Sequence, residues 1–185
     1  MKKYLLILFF CLHSIFQSNV GAQGLGISGG DSLSYYLGNH DLTSYFKIIV
    51  SLSETARKKL DKNTLLELSQ QLQKDFGELG LSDRKKLRHA AARVGSDLWI
   101  VTGYVDSSLK VFLVGHENVE NKNTLDSLAW FIENPISTLY TRKGDYEKAE
   151  YYAALLEVSL KFYNMNERLS RHYTNRGTLI SELNK

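Results

Sequence analysis

A repeated segment in the last third of the chain constrains its fold more than any other feature. Tyr140-Thr141-Arg142-Lys143-Gly144 recurs 33 positions later as Tyr173-Thr174-Asn175-Arg176-Gly177. A period of this length is typical of stacked helical hairpins, in which each unit buries an apolar face against its neighbour. Such arrays usually bind other proteins and seldom carry catalytic groups. The repeat therefore favours a helical C-terminal part that binds protein.

The N-terminus has the features of an export signal. Met1-Lys2-Lys3 is basic, residues 4–16 are almost entirely apolar, and Val20-Gly21-Ala22 offers small residues to a signal peptidase. The apolar run is shorter than the about 20 residues that a membrane-spanning helix needs. We therefore expect residues 1–22 to be a cleaved signal peptide, with no transmembrane segment afterwards and a periplasmic or extracellular location.

Cleavage would leave a chain with no thiol and little net charge. The one cysteine, Cys11, lies in the signal, and 21 of the 23 Lys and Arg would remain against 20 Asp and Glu, a net charge of +1. Disulfides and thiol chemistry are then excluded from the mature chain. A nucleic-acid-binding domain normally shows a clustered basic patch, so we expect no nucleic-acid partner.

Residues 45–118 are expected to form an α/β domain. The apolar, β-branched runs at 46–50, 98–105 and 109–114 suit buried strands. Asp106-Ser107-Ser108 would join the last two as a hairpin. The predicted fold class is thus α/β (α+β), with a small three-stranded mixed sheet, covering amphipathic helices and a helical C-terminal segment.

Two amphipathic helices are predicted between the first two strands. Thr64 and Glu67 match a capping box at the start of one helix. Its apolar stripe consists of Leu65, Leu68, Leu72, Phe76 and Leu79. Ser82 would cap the next helix and Gly95 would end it. Residues 23–44 are expected to be a Gly/Ser-rich linker with a short helix at 32–37.

The predicted α/β region resembles a known envelope domain. Phe46-Lys47-Ile48-Ile49-Val50 and the segment 90–103 are similar to parts of the N-terminal α/β domain of the Tol-system translocation protein and of related envelope lipoproteins. In those families, a helix ends in a turn containing glycine and aspartate, and a strand follows. The resemblance implies a protein-binding envelope module without catalysis.

Residues 124–185 are expected to be helical, with helices at 135–143, 146–163 and 167–176. Pro135 would occupy the first helical position, and a stub would follow Gly177. The segment 139–152 resembles the centre of a tetratricopeptide repeat, and the likeness extends over about one and a half units, 135–183. The residues that carry it, at turn and interhelix positions, are Ser137, Tyr140, Gly144, Tyr146 and Ala149.

Aromatic residues in this helical part are the candidate binding residues, because aromatic side chains often anchor protein interfaces. The candidates for contact with a protein partner are Tyr140, Tyr151, Tyr152 and Tyr173. Core packing is the alternative for each one. Tyr151 and Tyr152 are adjacent on a helix and cannot both face inward.

The sequence predicts no catalytic residue, metal site or cofactor. The expected function is that of an exported, non-enzymatic protein-interaction or envelope-assembly factor, whose partner binds the helical C-terminus. One alternative is a small exported hydrolase that uses His116 with Glu117 and Asp97, because His116 lies just past a predicted strand. Another is a structural subunit that self-associates through its tyrosine-rich helices.

Overall fold

The chain folds into helices that pack in sequence order. The computed structural model describes residues 33, 35–39, 41–79, 81–116 and 128–183, apart from the side chains of 81–87 and 182–183. Within these ranges there are seven helices of ten residues or more and no strand. The helices are α1 Leu42–Lys59, α2 Lys62–Glu78, α3 Leu81–Thr102, α4 Val105–His116, α5 Ala129–Lys143, α6 Tyr146–Phe162 and α7 Asn166–Leu183.

The predicted three-stranded sheet is wrong. Residues 46–50 lie in α1, 98–102 end α3, and 109–114 lie in α4, where Asp106 belongs to the first turn. Short apolar runs do not distinguish a buried strand from a buried helical segment. Here Tyr45 and Ile49, four residues apart, are both fully buried on one face of α1. Because the described residues form no sheet, the α/β fold implied by the Tol-system resemblance is also wrong.

The helices α1 and α2 begin at aspartate caps. Asp41 accepts a hydrogen bond from the Ser44 backbone N–H at 3.1 Å, and Asp61 accepts one from the Thr64 backbone N–H at 3.1 Å. The predicted capping box is therefore wrong, since Thr64 lies inside the helix that Asp61 caps. The stripe predicted for α2 is confirmed, because all five of its apolar residues are buried.

Helices α3 and α4 cross at two glycines. A Cβ at Gly95 would lie 3.0 Å from the Phe112 ring, and one at Gly115 would lie 2.8 Å from the Ala91 Cβ. Gly95 therefore does not end α3, as the sequence suggested. It lies inside the helix and admits an aromatic ring, and the chain turns only at Gly103, whose φ is 69°.

The hydrophobic core continues from the predicted α/β region into the C-terminal helices. One cluster packs α1 and α2 against α3 and α4, with Tyr45, Leu72 and Val111 among its buried members. A second cluster joins Phe112 of α4 to Ile132 of α5. The expected signal peptide and most of the predicted linker lie outside the described residues, although 42–44 belong to α1. No helix in the described ranges combines the length and apolar character needed to cross a membrane.

The last three helices form two consecutive antiparallel hairpins. Gly144, with φ 75°, ends α5, and Asp145 caps α6, so two residues join these helices. The prediction of a long helix from 146 is confirmed. Pro135, however, lies inside α5 and does not begin it. A helix can accommodate an internal proline at the cost of one backbone hydrogen bond.

The two copies of the sequence repeat differ in local structure. Gly144 ends a helix, whereas Gly177 lies within α7, which continues to Leu183. The residues that follow explain the difference. Asp145 supplies a cap for α6, while Leu179 is buried and extends the apolar face of α7.

Candidate functional site

A groove runs between the hairpins formed by α5, α6 and α7. Its volume is about 340 Å³. Polar residues of α5 and α7 supply most of its lining, and α6 contributes the apolar pair Ala153 and Leu156. The lining residues are Asn134, Ser137, Thr138, Thr141, Arg142, Ala153, Leu156, His172, Asn175, Arg176, Thr178 and Leu179. No carboxylate is among these residues.

Close packing of α5 on α6 shapes one wall of this groove. The Ser137 hydroxyl donates to the Ala149 carbonyl oxygen at 2.8 Å, linking the two helices. The hydroxyls of Thr138 and Thr141 donate to backbone oxygens of their own helix, both at 2.9 Å. A hydroxyl that donates in this way can still accept hydrogen bonds. The α5 wall is therefore rich in acceptors for a donor that enters the groove.

The Arg176 side chain joins α7 to α6 through two carboxylates. It donates to Glu150 at 2.9 Å and pairs with Glu157. The hydrogen bond to Glu150 is the main cause that raises the pKa of Arg176. The ion pair of Glu157 with Lys161 at 2.6 Å is the main cause that lowers the pKa of Glu157. Arg176 thus supplies little uncompensated charge to the groove.

Arg142 contributes the accessible positive charge of the groove. Its guanidinium carbon lies 5.2 Å from the centroid of the Trp99 ring, a cation–π contact. Among the described residues it has no ion-pair partner, in contrast to Arg176. Stacking on an aromatic ring orients the guanidinium while its N–H donors stay available to an acceptor.

The groove also contains a buried histidine. His172 is 2% exposed, and its Nε2 makes no hydrogen bond to the described residues. Among the described residues, the carboxylate nearest to it is that of Glu157, whose Oε2 lies 4.0 Å from Nε2. Burial lowers the pKa of His172 below its ordinary value. A neutral imidazole here can donate to or accept from a polar group in the groove.

The four predicted tyrosines do not line this groove. Tyr140 and Tyr152 stack on each other with centroids 5.7 Å apart and planes at 11°. Tyr151 is 55% exposed, as expected when its neighbour Tyr152 packs inward. Tyr173 is exposed, and its hydroxyl donates to Glu157 at 3.1 Å. Their predicted contact with a partner stays a prediction.

Sequence reasoning missed the polar residues of the groove. Asn134 and Thr138, four residues apart on α5, face Asn175 and Thr178 of α7 across it. Helical spacing of polar residues was the available signal. It is weak, because solvated helix faces show the same spacing.

The residues of the hydrolase alternative are dispersed. His116 Nδ1 lies 3.0 Å from Glu133 Oε1, which also accepts from Arg88 at 3.4 Å. Asp97 instead accepts from Ser53 at 2.9 Å and from Arg93 at 2.8 Å. Glu117 lies outside the described residues. Within the described part of the chain, no three His, Cys, Asp or Glu side chains converge as a metal site would require.

Comparisons with known proteins found no match for this chain. No protein-family model, no curated protein and no solved structure matches the chain.

Proposed function

We propose that this protein is an exported, non-enzymatic interaction factor that binds a protein partner in the groove between α5 and α7. The polar groove between two consecutive helical hairpins is the observation that carries this proposal. Helical repeats of the tetratricopeptide kind bind partners on the concave surface that stacked hairpins create. Residues 135–183 would act as a short array of this kind.

The chemistry of the groove favours an extended segment of the partner. Asn134 and Asn175 carry both amide donors and carbonyl acceptors, which match the N–H and C=O groups of an extended main chain. Arg142 adds an accessible positive charge, and no carboxylate is among the described residues that line the groove. A segment with an acidic side chain or a terminal carboxylate would therefore bind best, because guanidinium–carboxylate hydrogen bonds are charge-assisted.

The proposed site of action is the cell envelope or the medium. The basic start, apolar run and small residues at 1–22 support export. Assembly of envelope components is the process in which such a factor would act on other exported proteins.

Two threonines of α7 provide a matched test of the groove. Thr178 lines the groove and Thr174 does not, yet both are exposed and both donate to the backbone oxygen four residues earlier. Glutamate at position 178 would place a carboxylate in the groove, where it would repel an acidic segment and compete for Arg142. We expect Thr178→Glu to weaken retention of the partner about tenfold, which corresponds to about 1.4 kcal/mol of binding free energy, and Thr174→Glu to leave it unchanged.

The measurement is affinity capture from a bacterial envelope extract with wild-type chain and the two variants, quantified by mass spectrometry. Circular dichroism of each variant confirms that its helices are intact. A partner retained equally by both variants would contradict binding in the groove. Loss of the partner with Thr174→Glu alone would contradict it as well.

Self-association is the second candidate function, and an exposed stripe on α6 favours it. Tyr151, Val158 and Phe162 are all more than half exposed and stand at spacings of seven and four residues, which place them on one helix face. If this face pairs two copies, Phe162→Ser will convert a dimer to a monomer in light scattering. A wild-type chain that is monomeric at micromolar concentration would contradict this function.

A further inference from the structure

A second cavity, apart from the groove, lies between α1, α3 and the start of α5. Its volume is about 510 Å³, within the range of about 300 to 1,000 Å³ that is typical of small-molecule sites. One face of α3 lines it with His89, Arg93, Asp97 and Ile100. The other walls come from Arg57 of α1 and from Leu128 and Phe131 near the start of α5.

One buried carboxylate holds two arginines at this cavity. Asp97, with 4% of its side chain exposed, has Oδ2 2.8 Å from Nε of Arg93 and Oδ1 3.2 Å from Nε of Arg57. The Ser53 hydroxyl donates to the same carboxylate at 2.9 Å. Three groups from two helices thus orient Asp97, and Asp97 orients both guanidinium groups.

This arrangement leaves the terminal amines of both arginines available. Each arginine contacts Asp97 through Nε, and no hydrogen bond joins the Nη atoms of either one to another described residue. Two positive charges share one negative charge, so a charge of about +1 remains. Arg93 and Arg57 also help to lower the pKa of Glu54, but the main cause is its ion pair with Lys58 at 3.0 Å.

Exposed apolar side chains stand beside the guanidinium groups. Ile100 is 70% exposed and Phe131 is 45% exposed, although both are large and apolar. The Arg168 guanidinium lies 4.8 Å from the centroid of the Phe131 ring and helps to fix the ring's position. An apolar wall next to two oriented guanidinium groups complements a molecule with an anionic head and an apolar body.

We propose that this cavity binds a small amphipathic organic anion, a carboxylate or phosphate attached to an apolar group. The Nη donors of Arg57 and Arg93 bind the oxygens of the head, since guanidinium groups match the geometry of both anions. Ile100 and Phe131 cover the apolar body. The site is separate from the groove of α5 to α7, so this proposal can be tested without the partner.

Isothermal titration calorimetry of the full chain tests this proposal with phenyl phosphate, phenylacetate and inorganic phosphate. We expect saturable binding of at least one aromatic anion and binding of inorganic phosphate that is at least about tenfold weaker, because burying a phenyl group contributes more than about 1.4 kcal/mol. No saturable heat from either aromatic anion, or equal affinity for inorganic phosphate, would overturn the proposal.

Conservative variants locate the site. Arg57→Lys and Arg93→Lys keep the charge but replace the planar guanidinium by a single ammonium, which cannot contact Asp97 and present two terminal amines to the anion, so each should weaken binding about tenfold. Phe131→Ala, at an exposed side chain, should weaken it about fivefold without a folding defect. Arg171→Lys is the matched control, because Arg171 is an exposed arginine of α7 paired with Glu167. Equal weakening by the control would place the anion elsewhere and overturn the proposal.

A vesicle co-sedimentation experiment distinguishes a soluble anion from a lipid headgroup. Vesicles of phosphatidylglycerol present a phosphate on an apolar body that stays in the bilayer. Co-sedimentation with such vesicles, without binding of either soluble aromatic anion, would overturn a small-molecule site. Binding of the soluble anions without co-sedimentation supports it.

Discussion

The carboxylate of Glu133 connects α5 to two ionisable side chains, one on α3 and one on α4. Glu133 of α5 contacts His116 of α4 at 3.0 Å and accepts from Arg88 of α3 at 3.4 Å. Arg88 is 3% exposed and Glu133 is 5% exposed. In a medium that screens charges poorly, such a pair depends on both partners being present. Glu133 therefore holds the first hairpin of the C-terminal part against the helices before it.

Removal of this carboxylate should be costly. We expect Glu133→Gln to lower the free energy of unfolding by about 3 kcal/mol, because it removes the negative charge from a buried ion pair with Arg88. Urea denaturation followed by circular dichroism measures the change. The control is Glu67→Gln at an exposed site on α2, with an expected change within about 0.5 kcal/mol. Equal values for the two variants would contradict the role of Glu133.

Burial of His172 makes stability depend on pH. Its folded pKa is lower than the ordinary value of 6.5, mainly because of burial. The unfolded chain therefore binds a proton that the folded chain does not, and stability falls as pH decreases through about 6.5. Well above that pH, His172 is neutral in both the folded and the unfolded chain, and its burial no longer lowers the stability.

The difference in slope between two chains isolates this contribution. Between pH 7.5 and 5.5 the wild-type chain should lose more unfolding free energy than His172→Gln does, since the variant lacks the titrating group. This range lies above the ordinary pKa of 4.5 for Glu157, whose loss of ion pairs begins at lower pH. Identical pH slopes for the two chains would show that His172 is not protonated preferentially in the unfolded state.

At the scale of elements, small residues set how closely helices approach. Gly115 of α4 faces the Ala91 Cβ of α3, whereas nothing lies within 4 Å of a Cβ at Gly177 of α7. The same substitution should therefore have opposite effects in the two helices. Alanine at 115 would collide with a packed helix, and alanine at 177 would only favour the helical conformation.

Thermal or urea unfolding of Gly115→Ala and Gly177→Ala tests this difference. We expect Gly115→Ala to destabilise the chain by about 2 kcal/mol, as overpacking in a core does. Gly177→Ala should stabilise it by about 0.5 to 1 kcal/mol, because glycine is a poor helix former. Stabilisation by Gly115→Ala would mean that α3 and α4 are not in close contact there.

Across the whole molecule, the sequence predicted the C-terminal helices better than it predicted which helices and side chains contact each other. Helix α6 was predictable because Gly144 and Asp145 mark its start and its length exceeds that of most strands. Residues 46–50 were wrongly predicted to form a strand. Their β-branched side chains also occur in buried helices, where tertiary packing determines the secondary structure.

The buried polar contacts could not be predicted, because their residues lie far apart in the sequence. Arg88 and Glu133 are 45 positions apart, and Ser53 and Asp97 are 44 apart. No local pattern connects such pairs. The same limit applies to the groove, since its walls come from α5 and α7 and only the packing of both on α6 brings them together.

Binding of a partner segment between α5 and α7 is the central claim, and site-specific photo-cross-linking tests it most directly. A photo-reactive amino acid at position 178 would face the groove, and one at 174 would lie one turn earlier on the same helix, outside it. The account predicts that 178 cross-links to one defined segment of an envelope protein and that 174 does not. Cross-links to the partner from 174 or 151, with none from 178, would contradict it.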